Sequence, residues 1–308
     1  MEKVTINILN YNTYEKSVRC IMSCLRQEKI NFDIVVIDNK STDNSLGLLK
    51  EKFGDKVYFI ENNENYGFAK ANNLGVDFCK KLGAEYCLLL NSDIELIGNT
   101  LLYELVNAIR NNANAAAIAP LVYNVTSNGL ELNQNDSKYL KLLRVAGVLP
   151  KNSLINYNIA TVSELHGSVI LVECRSFMKK GGFPEHYFMY GEESTFAKKV
   201  LWGKQLLLWY KNKETYALHY HDKSSKIDKW RLYLMGRNRT LEFLENNDKF
   251  YIRWGIVFGV VLLINRFKMK DSNSYFLGVK DGFRLYKLKA SHKEIYCEGT
   301  MAREKYGN

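Results

Sequence analysis

Residues 86–95 read YCLLLNSDIE, an apolar run that ends abruptly in polar side chains. A strand buried on both faces of a parallel sheet reads as such a continuous apolar run. In open α/β sheets, ligands bind beyond the carboxyl ends of the strands. Asp93 therefore lies where a divalent cation is expected, because Mg²⁺ and Mn²⁺ prefer oxygen ligands. A turn that caps a helix beginning near Asn99 explains the same residues equally well.

Three other apolar segments with polar ends indicate the class of fold. They are predicted as strands at residues 4–9, 33–37 and 57–60, and a helical segment follows at 44–52. Strands that alternate with helices at this spacing predict a doubly wound, mostly parallel, Rossmann-like α/β sheet. Two strand ends then offer carboxylates, those of Asp38 and Asp93.

Short motifs in register carry a resemblance to a known family. They are Asn10-Tyr11-Asn12, Asp38 to Asp43, Asn65 to Asn73, Asn91-Ser92-Asp93, Gly181-Gly182-Phe183, Tyr190 to Glu193, His219 to Ser224 and Arg237-Asn238. Their order and spacing resemble the family 2 glycosyltransferases of the GT-A fold, and within them the rhamnosyltransferase-like branch. The resemblance implies a catalytic domain over 1–229, with a nucleotide-sugar half (1–120) and an acceptor-side half (121–229). A helical, basic extension would follow at 230–308.

The resemblance implies that the donor nucleotide lies at the strand ends. Asp38 would accept a hydrogen bond from the imide N–H of the base, which favours uracil or thymine and leaves UDP and dTDP both open. The other residues assigned to the donor are Asn10, Tyr11, Asn12, Asn65, Gly67, Asn73, Asn91, Ser92, Gly167 and Lys223. Gly167, on a strand predicted at 163–172, would let the backbone approach the sugar. Capping of the following helix explains Asn65, Gly67 and Asn73 equally well.

The resemblance also implies a metal site for Mn²⁺ or Mg²⁺. Asp93 and His219 would hold the cation, and His221 would join them because it shares a face with His219 on a short predicted strand. Structural, hydrogen-bonded histidines are the competing interpretation. A metal held there would neutralise charge on the leaving diphosphate.

An acidic pair opens the helix predicted at 194–202. In the resembling family such a pair supplies the base that takes the proton from the acceptor hydroxyl in an inverting transfer. Glu193 matches the base position and Glu192 its partner, although the second acid is usually Asp and Thr195 stands where another acid is common. Either glutamate therefore remains a candidate base. Both could instead be first-turn acids that complement the helix dipole.

Composition restricts the cellular setting and the partners. The formal charge is +10, and residues 246–308 carry twelve Lys and Arg against six Asp and Glu. The six cysteines show no Cys-x-x-Cys pair, which predicts reduced, buried thiols and a cytoplasmic protein. The first strand begins almost at once, so no signal peptide is predicted.

Two segments fall outside the strand and helix pattern. Residues 123–163 show no strand pattern, apart from a short basic helix at 137–145, and are interpreted as an acceptor-side excursion or an ordinary insertion. Residues 254–264 form an apolar run with basic flanks, too short to span a bilayer. Such a helix can lie at the inner face of the membrane, pack on a partner or pack in the core.

The resulting hypothesis is a metal-dependent, inverting glycosyltransferase of cell-surface polysaccharide synthesis, with rhamnose among the candidate sugars. Its acceptor would be a saccharide, with a lipid-linked one included, and no nucleic acid is expected as a partner. Whether the chain forms a homo-oligomer stays open. A nucleotidyltransferase is disfavoured because no Gly-rich, basic loop follows the first strand. A non-catalytic nucleotide-sugar-binding or assembly subunit is the other alternative.

Overall fold

The structure is a computed structural model that describes residues 3–133, 138–147, 149–220, 229–245, 259, 272–288 and 290–295. The chain forms two compact units. Unit 1 comprises residues 1–135, 152–182 and 196–222, and unit 2 comprises residues 136–151, 183–195 and 223–308. Two internal segments, 136–151 and 183–195, therefore group with the C-terminal residues. The sequence predicted a single boundary at residue 229, which places both segments in the catalytic domain.

The strands and helices of the described residues follow the predicted alternation over the first half of the chain. The strands are Val4–Asn10 (β1), Phe32–Asp38 (β2), Tyr58–Glu61 (β3), Tyr86–Asn91 (β4), Ile94–Ile97 (β5), Ala115–Ala119 (β6), Val122–Thr126 (β7), Gly129–Leu132 (β8), Ser153–Leu154 (β9), Ile159–Thr161 (β10), Val169–Glu173 (β11), Leu206–Tyr210 (β12) and Tyr216–His219 (β13). The helices are Tyr14–Leu25 (α1), Ser45–Phe53 (α2), Gly67–Lys81 (α3), Leu101–Arg110 (α4), Lys138–Val145 (α5), Cys174–Lys179 (α6), Glu192–Trp202 (α7), Lys229–Glu245 (α8) and Ser272–Lys287 (α9), with a 3₁₀ turn at Glu185–Tyr187.

Unit 1 is built on a mixed sheet whose described strands run in the order β3-β2-β1-β4-β11-β6-β12-β10-β9. Strands β1 to β4 pair in parallel, as the sequence predicted. Strand β11 is antiparallel to both of its neighbours, β4 and β6. The carboxyl ends of the four parallel strands therefore meet at one edge, where the polar motifs lie.

Helices cover both faces of the parallel strands, which confirms the doubly wound arrangement. On β2, Val36 belongs to the apolar cluster that contains Ile21 of α1. Its neighbour Val35 points to the opposite face and clusters with Ala71 of α3. Because successive residues of a strand face opposite sides, a strand covered on both sides must be apolar throughout.

A second, smaller sheet in unit 1 has the order β5-β13-β7-β8. The expectation that residues 123–163 form no strands is wrong, because β7 to β10 lie in this part of the chain. Strands β7 and β8 belong to the smaller sheet, and β9 and β10 belong to the larger one. The prediction was wrong because these strands are short and β8 and β9 are exposed. They bury no alternating apolar face from which a strand could be recognised. The predicted helix at 137–145 corresponds to α5.

In unit 2, α8 and α9 cross at glycines. A Cβ atom at Gly278 would overlap the backbone oxygen of Tyr233, and one at Gly236 would overlap that of Tyr275. The two backbones therefore approach to a distance that admits no side chain at these positions.

Two further sequence predictions concern the C-terminal region and the thiols. The apolar run at 254–264 lies outside the described residues, apart from Gly259. Among the residues that are described, no helix is both long and apolar enough to cross a membrane. The described cysteines, Cys20, Cys24, Cys79, Cys87 and Cys174, are buried and free, which agrees with the prediction of reduced thiols.

Candidate active-site residues

The ends of β1 and β2 are joined by a buried hydrogen-bond network. Asn10 is fully buried, and its Nδ2 donates to Asp38 Oδ1 at 2.7 Å. Its Oδ1 accepts from the hydroxyls of Thr13 and Ser17. Both polar atoms of the amide are thus used inside the protein. These bonds tie the ends of β1 and β2 together, and the assignment of Asn10 to the donor site stays a prediction.

Asp38 lies in the same network and is only 2% exposed. Its Oδ1 also accepts from Ser41 Oγ at 2.6 Å, and its Oδ2 accepts from the Ser41 backbone N–H at 2.9 Å. These bonds fix the turn after β2. Since each carboxylate oxygen can accept two hydrogen bonds, Oδ2 retains capacity for a further donor.

Asn12 ties the two strand-end loops together from the exposed side. It has a positive φ of 56°, a conformation that Asn tolerates better than most residues. Its Oδ1 accepts from the Thr42 backbone N–H at 2.7 Å, and its Nδ2 donates to Thr42 Oγ1 at 3.0 Å. The half-buried Tyr11 precedes it in the same loop.

The loop before α3 has the capping geometry that competes with a donor role. Asn65 Oδ1 accepts from the backbone N–H of Gly67 at 2.9 Å, and Gly67 has a φ of 70°. On α3, Asn73 lies close to Gly182, where an added Cβ would come within 2.6 Å of Asn73 Oδ1. Gly182 of the Gly181-Gly182-Phe183 motif therefore leaves room for the Asn73 side chain.

The turn between β4 and β5 presents Asp93. On its β4 side, the backbone N–H of Asn91 donates to Ser168 O at 3.0 Å. Ser92 is 8% exposed, and its Oγ lies 2.9 Å from Thr13 Oγ1, within hydrogen-bond distance. These bonds fix the turn from both sides, so the position of Asp93 is set by its neighbours.

Asp93 meets His219 through the register of the small sheet. His219 pairs with Ile94, the residue after Asp93, across the antiparallel strands β5 and β13. Asp93 Oδ1 lies 3.3 Å from His219 Nε2, with side-chain exposures of 23% and 4%. The backbone N–H of Tyr220 donates to the Asp93 carbonyl at 2.9 Å. The structure thus brings together two of the three predicted metal ligands; His221 and Lys223 lie outside the described residues.

His166 joins this cluster, although the sequence did not predict it as a site residue. Its ring lies edge-on to that of His219, with 5.7 Å between centroids. Its ring nitrogens contact Asn133 Nδ2 at 2.7 Å and Ser168 Oγ at 2.6 Å. Residues 166–168, Gly167 among them, were expected on a strand, but β11 begins only at Val169. This segment is a loop because its polar side chains bond to one another and to Asn133. The only feature of the sequence that pointed to His166 as a site residue was its position next to Gly167.

The acidic pair opens α7, two residues earlier than the helix was predicted to begin. Glu192 is 2% exposed, whereas Glu193 is half-buried. Burial, and then the charge of Glu193, raise the pKa of Glu192 well above its usual range. Burial also raises the pKa of Glu193, but hydrogen bonds from the backbone and from Glu192 oppose this rise. Both carboxyl groups of the pair therefore hold a proton to a higher pH than an exposed glutamate does.

A third buried carboxylate in unit 2 supports the start of α7. Glu242 of α8 is 1% exposed, and its Oε1 accepts from Ser194 Oγ at 2.9 Å and from Thr195 Oγ1 at 3.3 Å. Thr195 stands where the resembling family often has another acid. A carboxylate at that position would face Glu242 without a proton donor between them, so the threonine and the glutamate fit each other.

The turn before α7 is held by Asn238. Its Nδ2 donates to the carbonyl oxygens of Tyr187 (3.1 Å), Met189 (2.8 Å) and Tyr190 (2.7 Å). The fully buried Arg237 donates to Asn238 Oδ1 at 2.9 Å and to the Tyr187 carbonyl at 3.1 Å. The Arg237-Asn238 motif therefore positions the backbone that leads into the acidic pair.

This turn needs such support because its backbone is unusual. Phe188 and Tyr190 have φ angles of 67° and 70°, in a region that bulky residues rarely occupy. Gly191, with a φ of 96°, follows immediately before the helix. Each non-glycine residue in this conformation costs on the order of 1 kcal/mol or more. The hydrogen bonds from Asn238 offset that cost.

Comparison with known proteins identifies the family of the chain. A family model described as "Glycosyl transferase family 2" matches residues 5–181. Over 201 residues the chain is 26% identical to the low-salt glycan biosynthesis hexosyltransferase Agl10 of Haloferax volcanii, covering 65% of this chain and 62% of that protein. It is 32% identical over 80 residues to the teichoic acid poly(glycerol phosphate) polymerase of Staphylococcus epidermidis, covering 25% of this chain and 11% of that protein. The chain thus spans less than two thirds of the length of these relatives.

Solved structures show the same fold. The crystal structure of GalNAc-T7 with UDP, GalNAc and Mn²⁺ has a TM-score of 0.62 at 16% identity, covering 78% of this chain and 48% of that one. That of S. aureus TarS 1-349 with UDP-GlcNAc has a TM-score of 0.60 at 16% identity, covering 99% and 91%. Because the family model matches more than half of the residues, the chain belongs to glycosyl transferase family 2.

Proposed function

We propose that this protein is an inverting, metal-dependent glycosyltransferase that moves a sugar from a nucleoside diphosphate to a saccharide acceptor of a cell-surface polysaccharide. The observation that carries the proposal is the close pair of Asp93 and His219, presented at strand ends in a family 2 fold. The ionisable Glu193, in unit 2, supplies the second requirement, a base for the acceptor.

The Asp93 and His219 pair fits a divalent cation. Their ligand atoms are 3.3 Å apart. Adjacent ligands of an octahedral cation with bonds of 2.0–2.1 Å are separated by about 3 Å. A small movement of either side chain therefore brings the two ligand atoms to the distance that a bound cation requires. Carboxylate oxygen and imidazole nitrogen are both suitable ligands for Mn²⁺. A cation bound there would neutralise charge that develops on the leaving diphosphate.

Glu193 fits the proton-transfer step better than Glu192. In an inverting transfer, the acceptor oxygen forms a bond to the anomeric carbon while the bond from that carbon to the diphosphate breaks. The acceptor proton passes to a carboxylate, which must be ionised beforehand. Glu193 is half-buried, whereas Glu192 is 2% exposed, so the carboxylate of Glu193 is the more open of the two to an acceptor. We therefore assign the base to Glu193 and a supporting role to Glu192.

The substrate classes follow from the relatives. The neighbours named above were solved with UDP or UDP-GlcNAc, and one relative is named as a hexosyltransferase of glycan biosynthesis. We propose a UDP- or dTDP-linked sugar as donor, rhamnose among the candidates. The capacity of Asp38 Oδ2 to accept one more hydrogen bond is consistent with a uracil or thymine base. The acceptor would be a growing saccharide, lipid-linked at the inner face of the cell membrane.

A donor panel tests this function. The full chain is heated with UDP-glucose, UDP-GlcNAc, dTDP-glucose and dTDP-rhamnose, each with and without Mn²⁺, and GDP-mannose serves as the mismatched control. Nucleotide release is then measured for every donor that raises the melting temperature. We expect Mn²⁺-dependent stabilisation by at least one UDP or dTDP sugar, followed by slow hydrolysis. Binding without any turnover, with or without oligosaccharide acceptors, would favour the non-catalytic alternative.

A further inference from the structure

Three side chains of unit 2 that the proposed transfer does not use converge on one point. They are His186, Glu245 and His292, and their ligand atoms all lie within 4.8 Å of one another. Within the described part of the chain, no other set of three His, Cys, Asp or Glu residues meets this criterion. They come from three separate segments, namely the 3₁₀ turn at 185–187, the last residue of α8 and a helical turn at 292–295.

The spacing of this cluster suits a tetrahedral cation. His186 Nε2 lies 3.4 Å from Glu245 Oε2. Ligands bound to Zn²⁺ at 2.0–2.1 Å in a tetrahedron are about 3.3 Å apart, so this pair already has the required separation. The rings of His186 and His292 stack at 4.0 Å with 10° between their planes. Because an imidazole lone pair lies in the plane of its ring, two stacked rings do not aim at one cation, and the exposed ring of His292 must turn out of the stack to complete the site. Imidazole is otherwise a common metal ligand.

The surrounding contacts hold the ligands in place. Tyr187 donates its hydroxyl proton to Glu245 Oε2 at 3.0 Å, the kind of outer contact that orients a ligating carboxylate. The turn that presents His292 is closed by a capping box, in which Ser291 and Glu294 bond to each other reciprocally. Next to it, the carbonyl of Ile295 accepts from the buried Arg237 at 3.0 Å.

We propose that His186, Glu245 and His292 form a second cation site, selective for Zn²⁺ or a similar transition metal over Mg²⁺. Two imidazoles and one carboxylate are a ligand set that Zn²⁺ accepts, with water in the fourth position. The cation would join the segment before α7, the end of α8 and the 292–295 turn. Its effect is therefore structural, and it is independent of the Asp93 and His219 pair.

The test compares an exposed ligand with its exposed neighbour. His292→Ala removes one ligand from the surface, and Lys293→Ala alters the next residue of the same turn without touching the cluster. Untagged full-length proteins are titrated with Zn²⁺ and Co²⁺ in excess Mg²⁺, which occupies an oxygen-rich site. We expect one tightly bound Zn²⁺, a rise in melting temperature and the intense visible absorption of tetrahedral Co²⁺ for the parent and Lys293→Ala. His292→Ala should lose all three.

Two further variants make the outcome specific. Asp93→Ala should retain the Zn²⁺-dependent rise in melting temperature, because the two sites are separate. Glu245→Gln should weaken Zn²⁺ binding by about tenfold or more, since the amide is a poorer ligand than the carboxylate. Equal Zn²⁺ binding by the parent and His292→Ala, or no binding by the parent, would overturn the proposal and leave the cluster as a hydrogen-bonded ion pair. Neither result bears on glycosyl transfer, which the donor panel tests.

Discussion

The two units of this protein place carboxylates in opposite environments. In unit 1, Asp93 is partly exposed at a strand end and faces an imidazole, that of His219. In unit 2, Glu192 is almost fully buried, and burial followed by the charge of Glu193 raises its pKa. An open carboxylate is suited to a cation and its anionic ligand, whereas a desolvated pair is suited to proton transfer. We propose that the same residue class serves two tasks through its surroundings.

The two sites also differ in what holds them. The position of His219 beside Asp93 follows from strand register, which backbone hydrogen bonds determine. The acidic pair depends on a strained turn that the side chains of Asn238 and Arg237 secure. We therefore expect the Asp93 and His219 site to lose its binding when a ligand is removed. The function of the acidic pair should depend on packing around the turn as well as on the two carboxylates.

The largest expected effect is on donor binding at the unit 1 site. Asp93→Ala should abolish the Mn²⁺-dependent part of UDP or dTDP affinity, because the remaining imidazole is a weak ligand alone. Isothermal titration calorimetry with and without Mn²⁺ measures it. Glu95→Gln is the matched control, since Glu95 is an acid of the adjoining strand β5 that bonds to Arg26 and Tyr220. If Asp93→Ala binds nucleotide with the metal dependence of the parent, the metal assignment is wrong.

The next effect concerns turnover at the unit 2 site. Glu193→Gln should lower the rate of sugar transfer by about 10²-fold or more, the usual scale of general-base catalysis. Glu192→Gln should cost less, because the amide imitates the protonated carboxyl group. Steady-state release of nucleotide measures both variants. A reversed order would assign the base to Glu192, and normal rates in both would remove the acid–base argument.

A change in packing should also affect unit 2. Gly278→Ala should lower the free energy of unfolding by about 3 kcal/mol, the upper end of the range for overpacking, because the new methyl group meets the Tyr233 carbonyl. Chemical denaturation measures this. Gly47→Ala, on the exposed side of α2, is the control and should be neutral or slightly stabilising. A neutral Gly278→Ala would show that α8 and α9 separate at little cost.

The buried pair also predicts a pH dependence. The pKa of Glu192 is raised in the folded protein, so the folded state binds more protons than the unfolded state. Stability is therefore greatest below the ordinary glutamate pKa and falls as the pH rises toward the raised value, by at most about 1.4 kcal/mol per pH unit. Glu192→Gln should reduce this slope in thermal unfolding measured from pH 4 to 8. An unchanged slope would contradict the assignment of the proton to Glu192.

The smallest expected effect belongs to the basic C-terminal region. If residues 254–270 form an interfacial helix, the protein should sediment with anionic liposomes and dissociate as salt rises, since charge attraction is screened within about 10 Å at 0.1 M. Arg266→Gln, Lys268→Gln and Lys270→Gln together should weaken sedimentation and leave donor hydrolysis intact. Equal binding to neutral and anionic vesicles, or no binding to either, would indicate that residues 254–270 form a packing element instead.

The sequence predicted the features that depend on local pattern. Strands β2 and β4 are mostly apolar because both faces are covered, and their polar ends follow directly in the chain, so the position of Asp93 at a strand end could be predicted. The short strands β7 to β10 bury too little to produce a pattern. Contacts between distant residues were equally hidden, since no spacing rule links His166 to His219 or Glu242 to Thr195. The raised pKa values of the two glutamates depend on burial, which only the structure shows.

The most direct test of the division between the sites measures donor affinity and turnover side by side in Asp93→Ala and Glu193→Gln, with the same UDP or dTDP sugar and Mn²⁺. Our account predicts that Glu193→Gln binds donor within about twofold of the parent while its rate falls about 10²-fold. Asp93→Ala should instead lose metal-dependent affinity. If Glu193→Gln weakens donor binding as much as Asp93→Ala does, the two carboxylates do not serve separate tasks and the account is contradicted.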